Sequence, residues 1–188
     1  MSTKASIPPP PETVLDHDDI GRAIKRIASA IVEQTKGGSS IALVGIREGG
    51  VPLSNRIASE IQKSEGVRVP IGTIEIALYR DDVASRKAEV VGSSDIRFAV
   101  DGQDVVLVDD VVHTGRTVRA AIDALLDYGR PRRIWLAALT DRGGRELPIA
   151  PDFVGLAIDV PAGGYLEVTL GGPKDRVVLV RPAFEYAG

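Results

Sequence analysis

The chain has 188 residues, a formal net charge of −3 and no cysteine, so it can fill one domain but cannot form a disulfide or a thiolate metal site. Aromatic residues make up only 4% of the sequence, which leaves little for a platform that stacks single-stranded nucleic acid. No apolar run is long enough to span a membrane and the N-terminus lacks the apolar core of a secretory signal. We therefore expect a cytoplasmic protein with no membrane partner.

The predicted elements begin after a short tail. Residues 1–13 include four consecutive prolines at 8–11, and we expect a disordered Pro-rich tail there and a single domain over residues 14–188. Asp16 is predicted to cap a helix that runs to about Gln34, because apolar residues recur at helical spacing behind it. Apolar runs predict strands over 41–44, 69–79, 105–108, 133–139, 153–160 and 177–180, with further helices over 51–62 and 117–128.

Strands that alternate with helices predict an α/β fold with a mostly parallel sheet flanked by helices. In such sheets, ligands bind beyond the carboxyl ends of the strands. Three loops leave those ends, at residues 45–50, 109–117 and 141–144. We expect all three to open on one rim and to form one site.

The middle loop carries the most informative chemistry. Asp109 and Asp110 follow an apolar strand, and a Thr-Gly-Arg-Thr turn at 114–117 opens the next helix. Gly115 allows the backbone to approach an anion, towards which the N–H groups that begin the helix point. Two carboxylates at a strand end can accept hydrogen bonds from neighbouring ribose hydroxyls. This pattern predicts a site for a phosphorylated sugar.

The loop at 45–50 does not match the dinucleotide fingerprint, and the chain contains no P-loop motif. Its glycines suit a tight turn that brings helix and strand close together. Because the loop at 109–117 indicates a phosphorylated sugar, we favour a pyrophosphate cradle, in which Gly49 and Gly50 expose backbone amides and Arg47 supplies charge. Residues 79–97 are polar and without periodicity; such long loops often serve as lids. There, Arg80, Arg86 and Lys87 are candidates to close over pyrophosphate.

The segment from Val105 to Thr117 resembles the 5-phosphoribosyl-1-pyrophosphate (PRPP) signature of type I phosphoribosyltransferases. Three further stretches resemble the PyrR family of pyrimidine-operon regulators, which also have uracil phosphoribosyltransferase activity: Leu-Tyr-Arg-Asp-Asp at 78–82, Asp-Tyr-Gly-Arg-Pro at 127–131 and Asp-Arg-Gly-Gly-Arg-Glu-Leu-Pro-Ile at 141–149. The similarity covers about residues 14–170. Dedicated uracil enzymes usually lack one acid of the pair, and purine enzymes lack the Asp-Arg-Gly stretch.

The resemblance implies a type I phosphoribosyltransferase fold with a flexible loop and a small hood. It gives catalytic roles to Asp109 and Asp110, which would hold the ribose hydroxyls and contact Mg²⁺ only indirectly, through ribose or water, and to Arg80, which would cover the transition state. The peptide around Arg47 and Glu48 is often cis in relatives. The substrate-binding residues that it implies are Val111, Val112, His113, Thr114, Gly115, Arg116, Thr117, Arg47, Glu48, Gly49, Arg142, Ala157 and Ile158, the last two reading the uracil edge.

Departures from the family pattern lie in the same loops. Glu48 and Gly49 stand where Thr-Arg is usual, and an acid there should weaken the attraction for pyrophosphate, while His113 replaces a Tyr or Ser. Arg22, Arg26 and Arg145 match the family's basic RNA-binding face. Ser29 stands where a His is typical, and residues 161–165 replace a Ser/Lys-rich segment.

The implied partners are PRPP, uracil, UMP or UTP, Mg²⁺ and the messenger RNA leader of a pyrimidine operon, with assembly into a homodimer or larger oligomer. Two alternatives stay open from the sequence. One is a phosphoribosyltransferase without an RNA-regulatory role, and the other is a purine phosphoribosyltransferase.

Overall fold

The computed structural model describes residues 9–77 and 93–182. Within them, a five-stranded sheet has the order β3-β2-β4-β5-β6, and a three-stranded sheet has the order β1-β8-β7. The elements are β1 (Glu12–Leu15), α1 (His17–Gln34), β2 (Ile41–Ile46), α2 (Gly50–Glu65), β3 (Ile71–Ile74), β4 (Asp104–Val112), α3 (Arg116–Leu126), β5 (Arg133–Asp141), β6 (Phe153–Ala157), β7 (Tyr165–Thr169) and β8 (Arg176–Val180).

All neighbouring strands of the larger sheet are parallel, which confirms the predicted α/β class. Alternation along β4 divides the core into two layers. Val106 and Val108 pack with buried residues of α1 and α2, whereas Val105 and Leu107 pack with buried residues of α3. Strand β2 has β3 on one side and β4 on the other, so the order of the strands reverses direction between β2 and β4. The edge beyond β2 and β4 is therefore the topological switch point where such sheets bind ligands.

Helix α1 has the start and end predicted from the sequence. The Asp16 carboxylate accepts the N–H of Asp19 at 2.8 Å, and the Asp19 carboxylate accepts the N–H of Asp16 at 3.2 Å. This reciprocal capping box satisfies amides that the first turn would leave unpaired. The apolar residues of the helix, which recur at helical spacing, are buried against the sheet: Ile20, Ala23, Ile24, Ile27, Ala28 and Ile31.

The start of the domain and the end of β4 differ from the sequence prediction. The tail was expected to extend through residue 13, but β1 begins at Glu12 and pairs antiparallel with β8. The prolines at 8–11 end early enough to leave the next amides free for that ladder. Strand β4 does not stop before the acids but continues through them to Val112, because β5 keeps pairing with it as far as Asp141.

The remaining boundaries differ by a few residues, and a second strand, in addition to β1, was not predicted. Strand β3 covers only 71–74 of the predicted 69–79, and residues 78–92 lie outside the described residues. Helix α3 begins one residue earlier than expected and ends at Leu126. Strand β7 was missed because its alternate residues are exposed, so it has no apolar run. In the described residues no helix combines the length and apolarity that a membrane span requires.

The smaller sheet, β1-β8-β7, is named here the hood. Its turn between β7 and β8 is tied to α2 through Asp175, whose side chain is only 2% exposed. The Asp175 carboxylate accepts the N–H groups of Gly171 and Gly172, both at 2.8 Å, and also pairs with the guanidinium of Arg56 in α2. Burial raises the pKa of Asp175, but these amides and Arg56 outweigh it, so that the net effect is a lowered pKa.

We predict that Asp175→Asn lowers the free energy of unfolding at pH 7 by about 1–3 kcal/mol, because the partly exposed guanidinium of Arg56 and the two glycine amides lose a charged acceptor. A depressed pKa stabilises the fold above the unfolded value of about 4 and loses that contribution as pH falls through the folded value. The deficit should therefore shrink on acidification. Urea denaturation at pH 7 and in mild acid measures both effects. Glu167→Gln, at an exposed hood position, is the control, and equal stability of Asp175→Asn and this control would contradict the role.

Candidate functional site

The site begins with two successive carboxylates on β4 that face opposite sides of the sheet. Asp109 continues the row of Val105 and Leu107 and is 5% exposed, while Asp110 continues the row of Val106 and Val108. Asp109 lines a cavity of about 220 Å³ with residues 111–115, 117 and 118. Asp110 lines a second cavity of about 540 Å³ with Glu48, Gly49, Pro52 and the hood. The carboxyl end of β4 therefore presents Asp109 to the smaller cavity and Asp110 to the larger one.

Backbone amides orient both acids. Asp109 Oδ1 accepts the N–H of Asp110 at 3.0 Å, and Asp110 Oδ1 accepts the N–H of Val111 at 2.9 Å. The Thr140 hydroxyl on β5 donates to the carbonyl of Asp110 at 3.0 Å, which holds the strand at this point. A carboxylate has two oxygens and several acceptor positions, so each acid can accept further donors.

The two acids differ in their electrostatics. Burial, the charge of Asp110 and the side-chain hydrogen bonding between the two acids raise the pKa of Asp109 well above its ordinary value, and the backbone N–H of Asp110 only partly opposes this. A carboxylate that is desolvated beside a like charge favours its protonated form. The fold therefore holds Asp109 at an energetic cost, which marks it as a functional-site candidate.

The smaller cavity has the properties of an anion cradle. Gly115 precedes α3 with a φ of 91°, a conformation that a side chain would strain. The amide of Arg116 lies 3.3 Å from the Thr114 hydroxyl, and the following amides of the first turn point along the helix dipole. Burial and the positive charges of Arg142 and Arg145 lower the pKa of the His113 imidazole against the opposing effect of Glu146. This lowered pKa favours the neutral imidazole, which can donate or accept a hydrogen bond.

The larger cavity is bounded by the loop between β2 and α2. Its Arg47–Glu48 peptide bond is cis, as the resemblance implies. A Cβ on Gly49 would overlap the carboxylate of Asp110, so an arginine at this position would not fit the present packing. Glu48 is exposed and adds negative charge to the cavity wall. The guanidinium of Arg47 instead reaches the carbonyl of Ser93 at 3.3 Å.

The loop after β5 closes the rim. The N–H of Arg142 donates to the carbonyl of Val112 at 3.1 Å, and its guanidinium donates to the carbonyl of Gly164 at 3.0 Å. Ala157 pairs with Asp141, and the N–H of Ile158 donates to the Asp141 carbonyl at 2.8 Å. Arg142, Ala157 and Ile158 thus lie at the carboxyl end of the sheet with the two acids.

Other predicted residues lie elsewhere or cannot be described. Arg80, Arg86 and Lys87 fall within 78–92, outside the described residues. On α1, the guanidinium of Arg22 pairs with Asp19 at 2.6 Å, and that of Arg26 donates to the carbonyl of Gly155 at 2.7 Å. Arg145 contacts internal acceptors of the site loops.

Sequence reasoning missed the hood residues Val168, Thr169 and Leu170, which form the far wall of the larger cavity. Their signal is weak, since β7 alternates between exposed and partly buried residues and carries no motif. The antiparallel pairing with β8 and the packing of Leu166, Val168 and Leu170 against the core hold this strand beside the site.

Comparison with known proteins agrees with this geometry. The family model described as "Phosphoribosyl transferase domain" matches residues 11–164. A protein of Roseiflexus sp. (strain RS-1) named "Bifunctional protein PyrR" is 59% identical over 172 residues, covering 89% of this chain and 94% of the relative. A protein of the same name from Pelotomaculum thermopropionicum is 49% identical, covering 90% of this chain and 96% of the relative.

Among solved structures, a hypoxanthine phosphoribosyltransferase of Trypanosoma cruzi superposes with a TM-score of 0.70, covering 91% of this chain and 97% of that chain. A hypoxanthine phosphoribosyltransferase from Staphylococcus aureus gives a TM-score of 0.61, covering 85% and 84%. The identities are 20% and 17%, so that these likenesses establish the fold alone.

We predict that Asp109→Asn makes the unliganded protein more stable at neutral pH, because the amide replaces an acid that is costly to ionise in this position. A raised carboxyl pKa means that the folded state binds the proton more tightly, so that wild-type stability falls as pH rises above about 4 towards the folded value. The variant should match the wild type near pH 4 and exceed it at pH 7. Urea midpoints across this range measure the difference. Asp123→Asn, an exposed change on α3, is the control, and a less stable Asp109→Asn at pH 7 would contradict the assignment.

Proposed function

The chain belongs to the phosphoribosyltransferase family and, within it, to the bifunctional PyrR proteins, and we propose that it makes UMP from uracil and PRPP and regulates a pyrimidine operon. One observation carries the catalytic half. Two successive carboxylates lie at the switch point of the sheet. Asp109 is beside the N-terminus of α3, and Asp110 is beside residues 45–50, which are called the glycine loop here. This arrangement suits a pentose with an anion on each side.

Each part of PRPP has a place in this arrangement. Asp109 and Asp110 accept the two ribose hydroxyls, and the backbone from Val111 to Thr117 surrounds the 5′-phosphate in the smaller cavity. The pyrophosphate occupies the larger cavity against Glu48, Gly49 and the hood. Uracil lies beside Arg142 and the backbone of Ala157 and Ile158.

The reaction then needs mainly positioning and electrostatic stabilisation. The bond from C1′ to the pyrophosphate oxygen breaks with its electron pair going to pyrophosphate. Uracil N1 forms the new bond to C1′, and its proton passes to the departing pyrophosphate. Positive charge grows on the ribose ring between these events. The carboxylates beneath the hydroxyls stabilise that charge, and amides of the glycine loop stabilise the departing oxyanion.

The donors present suit Mg²⁺, which binds oxygen ligands and usually keeps several waters and substrate phosphates. The carboxylates of Asp110 and Glu48 line the same cavity, while Asp109 and Asp110 contact the ion indirectly, through ribose hydroxyls or water. The ion, when bound, neutralises charge on the leaving pyrophosphate. Since Glu48 repels pyrophosphate that carries no metal, we expect a strict magnesium requirement.

The regulatory half uses the same pocket as a sensor. UMP fills the ribose, phosphate and base positions, and UTP offers the same parts with further phosphates. Arg22 and Arg26 lie on the exposed face of α1, where basic side chains neutralise phosphates of a messenger RNA leader in the cytoplasm. We expect a homodimer or larger assembly, as the resemblance implies.

We predict that the wild type transfers phosphoribosyl groups to uracil and not to adenine or hypoxanthine. Asp110→Asn should keep the fold and lower kcat/KM by about ten- to a hundredfold, the cost of one charge-assisted hydrogen bond to a ribose hydroxyl. Pyrophosphate release with each base, with and without Mg²⁺, measures both. Activity with hypoxanthine alone would favour the purine alternative, and a fully active Asp110→Asn would refute the ribose-holding role.

For the regulatory half, we predict that UMP strengthens binding of the operon leader RNA. Arg22→Gln should weaken this binding and reduce its salt slope by about one, because one phosphate contact is lost. Filter binding at several stated salt concentrations measures the slope. Lys63→Gln on α2, at an exposed ion pair, is the control. Equal affinity for leader and scrambled RNA, with and without UMP, would leave an enzyme only.

A further inference from the structure

Arg145 lies at the centre of the loop after β5, and its guanidinium points inwards. Nε donates to the carbonyl of Ile149 and Nη1 to the carbonyl of His113, both at 2.7 Å. Nη1 also donates to the carbonyl of Gly143 at 3.2 Å, and Nη2 pairs with Asp141 at 2.7 Å. These bonds use four of the five N–H groups of an arginine. The side chain is only 22% exposed.

The segment 141–149 packs directly against the phosphate loop, which is defined here as residues 113–116. The amides of Glu146 and Leu147 both donate to the carbonyl of Thr114, at 3.0 and 3.1 Å. Side-chain carbons of Leu147 and Ile149 lie 3.4 Å from the position that a Cβ of Gly115 would take. The Arg116 guanidinium pairs with Glu146 at 2.7 Å. The phosphate loop therefore takes its shape from the segment behind it.

The sheet anchors this second layer through one carboxylate. Asp141 is the last residue of β5 and pairs with Val112 of β4. Its Oδ1 accepts the N–H of Gly143 at 2.9 Å, and its Oδ2 accepts the guanidinium of Arg145. A continuous set of bonds thus runs from the sheet edge through Arg145 to the carbonyl of His113, the first residue of the phosphate loop.

We propose that Arg145 is a positioning residue for the 5′-phosphate, which it never touches: it fixes the phosphate loop in the shape that presents backbone amides to the anion. The inference rests on the proposed function, since it takes a 5′-phosphorylated nucleoside as the ligand. This role differs from the RNA contact that the family resemblance implies for Arg145. A guanidinium with four internal bonds has one N–H left for an external phosphate.

Lysine cannot replace this residue. The bonds to Asp141, Ile149 and His113 leave three different nitrogens of a planar fork, whereas lysine donates from a single atom. Arg145→Lys should therefore keep the charge of the side chain and still loosen the phosphate loop. This separates a geometric role from a purely electrostatic one.

The test compares UMP with uridine, which differ only in the 5′-phosphate. Titration calorimetry gives Kd for both ligands with the wild type, Arg145→Gln and Arg145→Lys. We expect both variants to bind UMP about tenfold more weakly or worse, and uridine within about twofold of the wild type. The KM for PRPP should rise in parallel, with a smaller change in kcat. Arg119→Gln, an exposed arginine of α3, is the control for loss of charge.

Each other outcome contradicts a specific statement. Unchanged UMP affinity in both variants, or equal weakening of UMP and uridine, would overturn the positioning role. Loss of leader RNA binding with UMP affinity intact would overturn the positioning role and show that Arg145 serves RNA binding instead. If Arg145→Gln does not fold by circular dichroism, Arg145→Lys decides alone. Failure of the wild type to bind either UMP or PRPP would refute the proposed function itself, before any variant is compared.

Discussion

The structure depends on one constraint, the alternation of side chains along a central parallel strand that keeps its pairing past its apolar residues. β4 remains bonded to β5 as far as Val112, so the backbone of Asp109 and Asp110 belongs to the paired sheet and their side chains face opposite layers. Each layer ends in a different loop, the phosphate loop beside α3 and the glycine loop beside α2. In the proposed complex, a pentose at the end of β4 would meet an acid on each side and an anion-binding loop beyond each acid. Strand geometry thus sets the direction in which each acid faces.

This arrangement has an electrostatic cost that the ligand offsets. Asp109 is buried beside a like charge, and its raised pKa reports that the empty site does not favour its ionised form. Hydroxyl donors from a ribose would stabilise the carboxylate and so couple binding to proton release. Glu48 adds a second repulsive charge where pyrophosphate would lie. In the proposed function, a metal ion bound to pyrophosphate would offset this repulsion.

Local signals allowed much of this architecture to be predicted from the sequence. The capping box at Asp16, the apolar run of β2 and the acid pair before Thr-Gly-Arg-Thr each depend on residues close together in the chain. The features that were missed depend on distant pairing. The first residues of β1 were assigned to the tail because their partner, β8, lies at the far end of the domain. β7 is half-exposed and has no apolar run. The sequence around Arg145 is typical of a surface cation, because its acceptors at 113 and 149 become its neighbours only in the folded chain. Tertiary contacts of this kind leave no periodic pattern.

The central claim is that the two acids of β4 hold two neighbouring hydroxyls of one ribose. The most direct measurement compares the affinity of the wild-type protein for UMP with its affinities for the 2′-deoxy and 3′-deoxy analogues, with magnesium present. Removing either hydroxyl leaves a carboxylate without its donor, so each analogue should bind about tenfold more weakly or worse. Analogues that bind as tightly as UMP would contradict the account, because the acid pair would then have no part in holding the sugar.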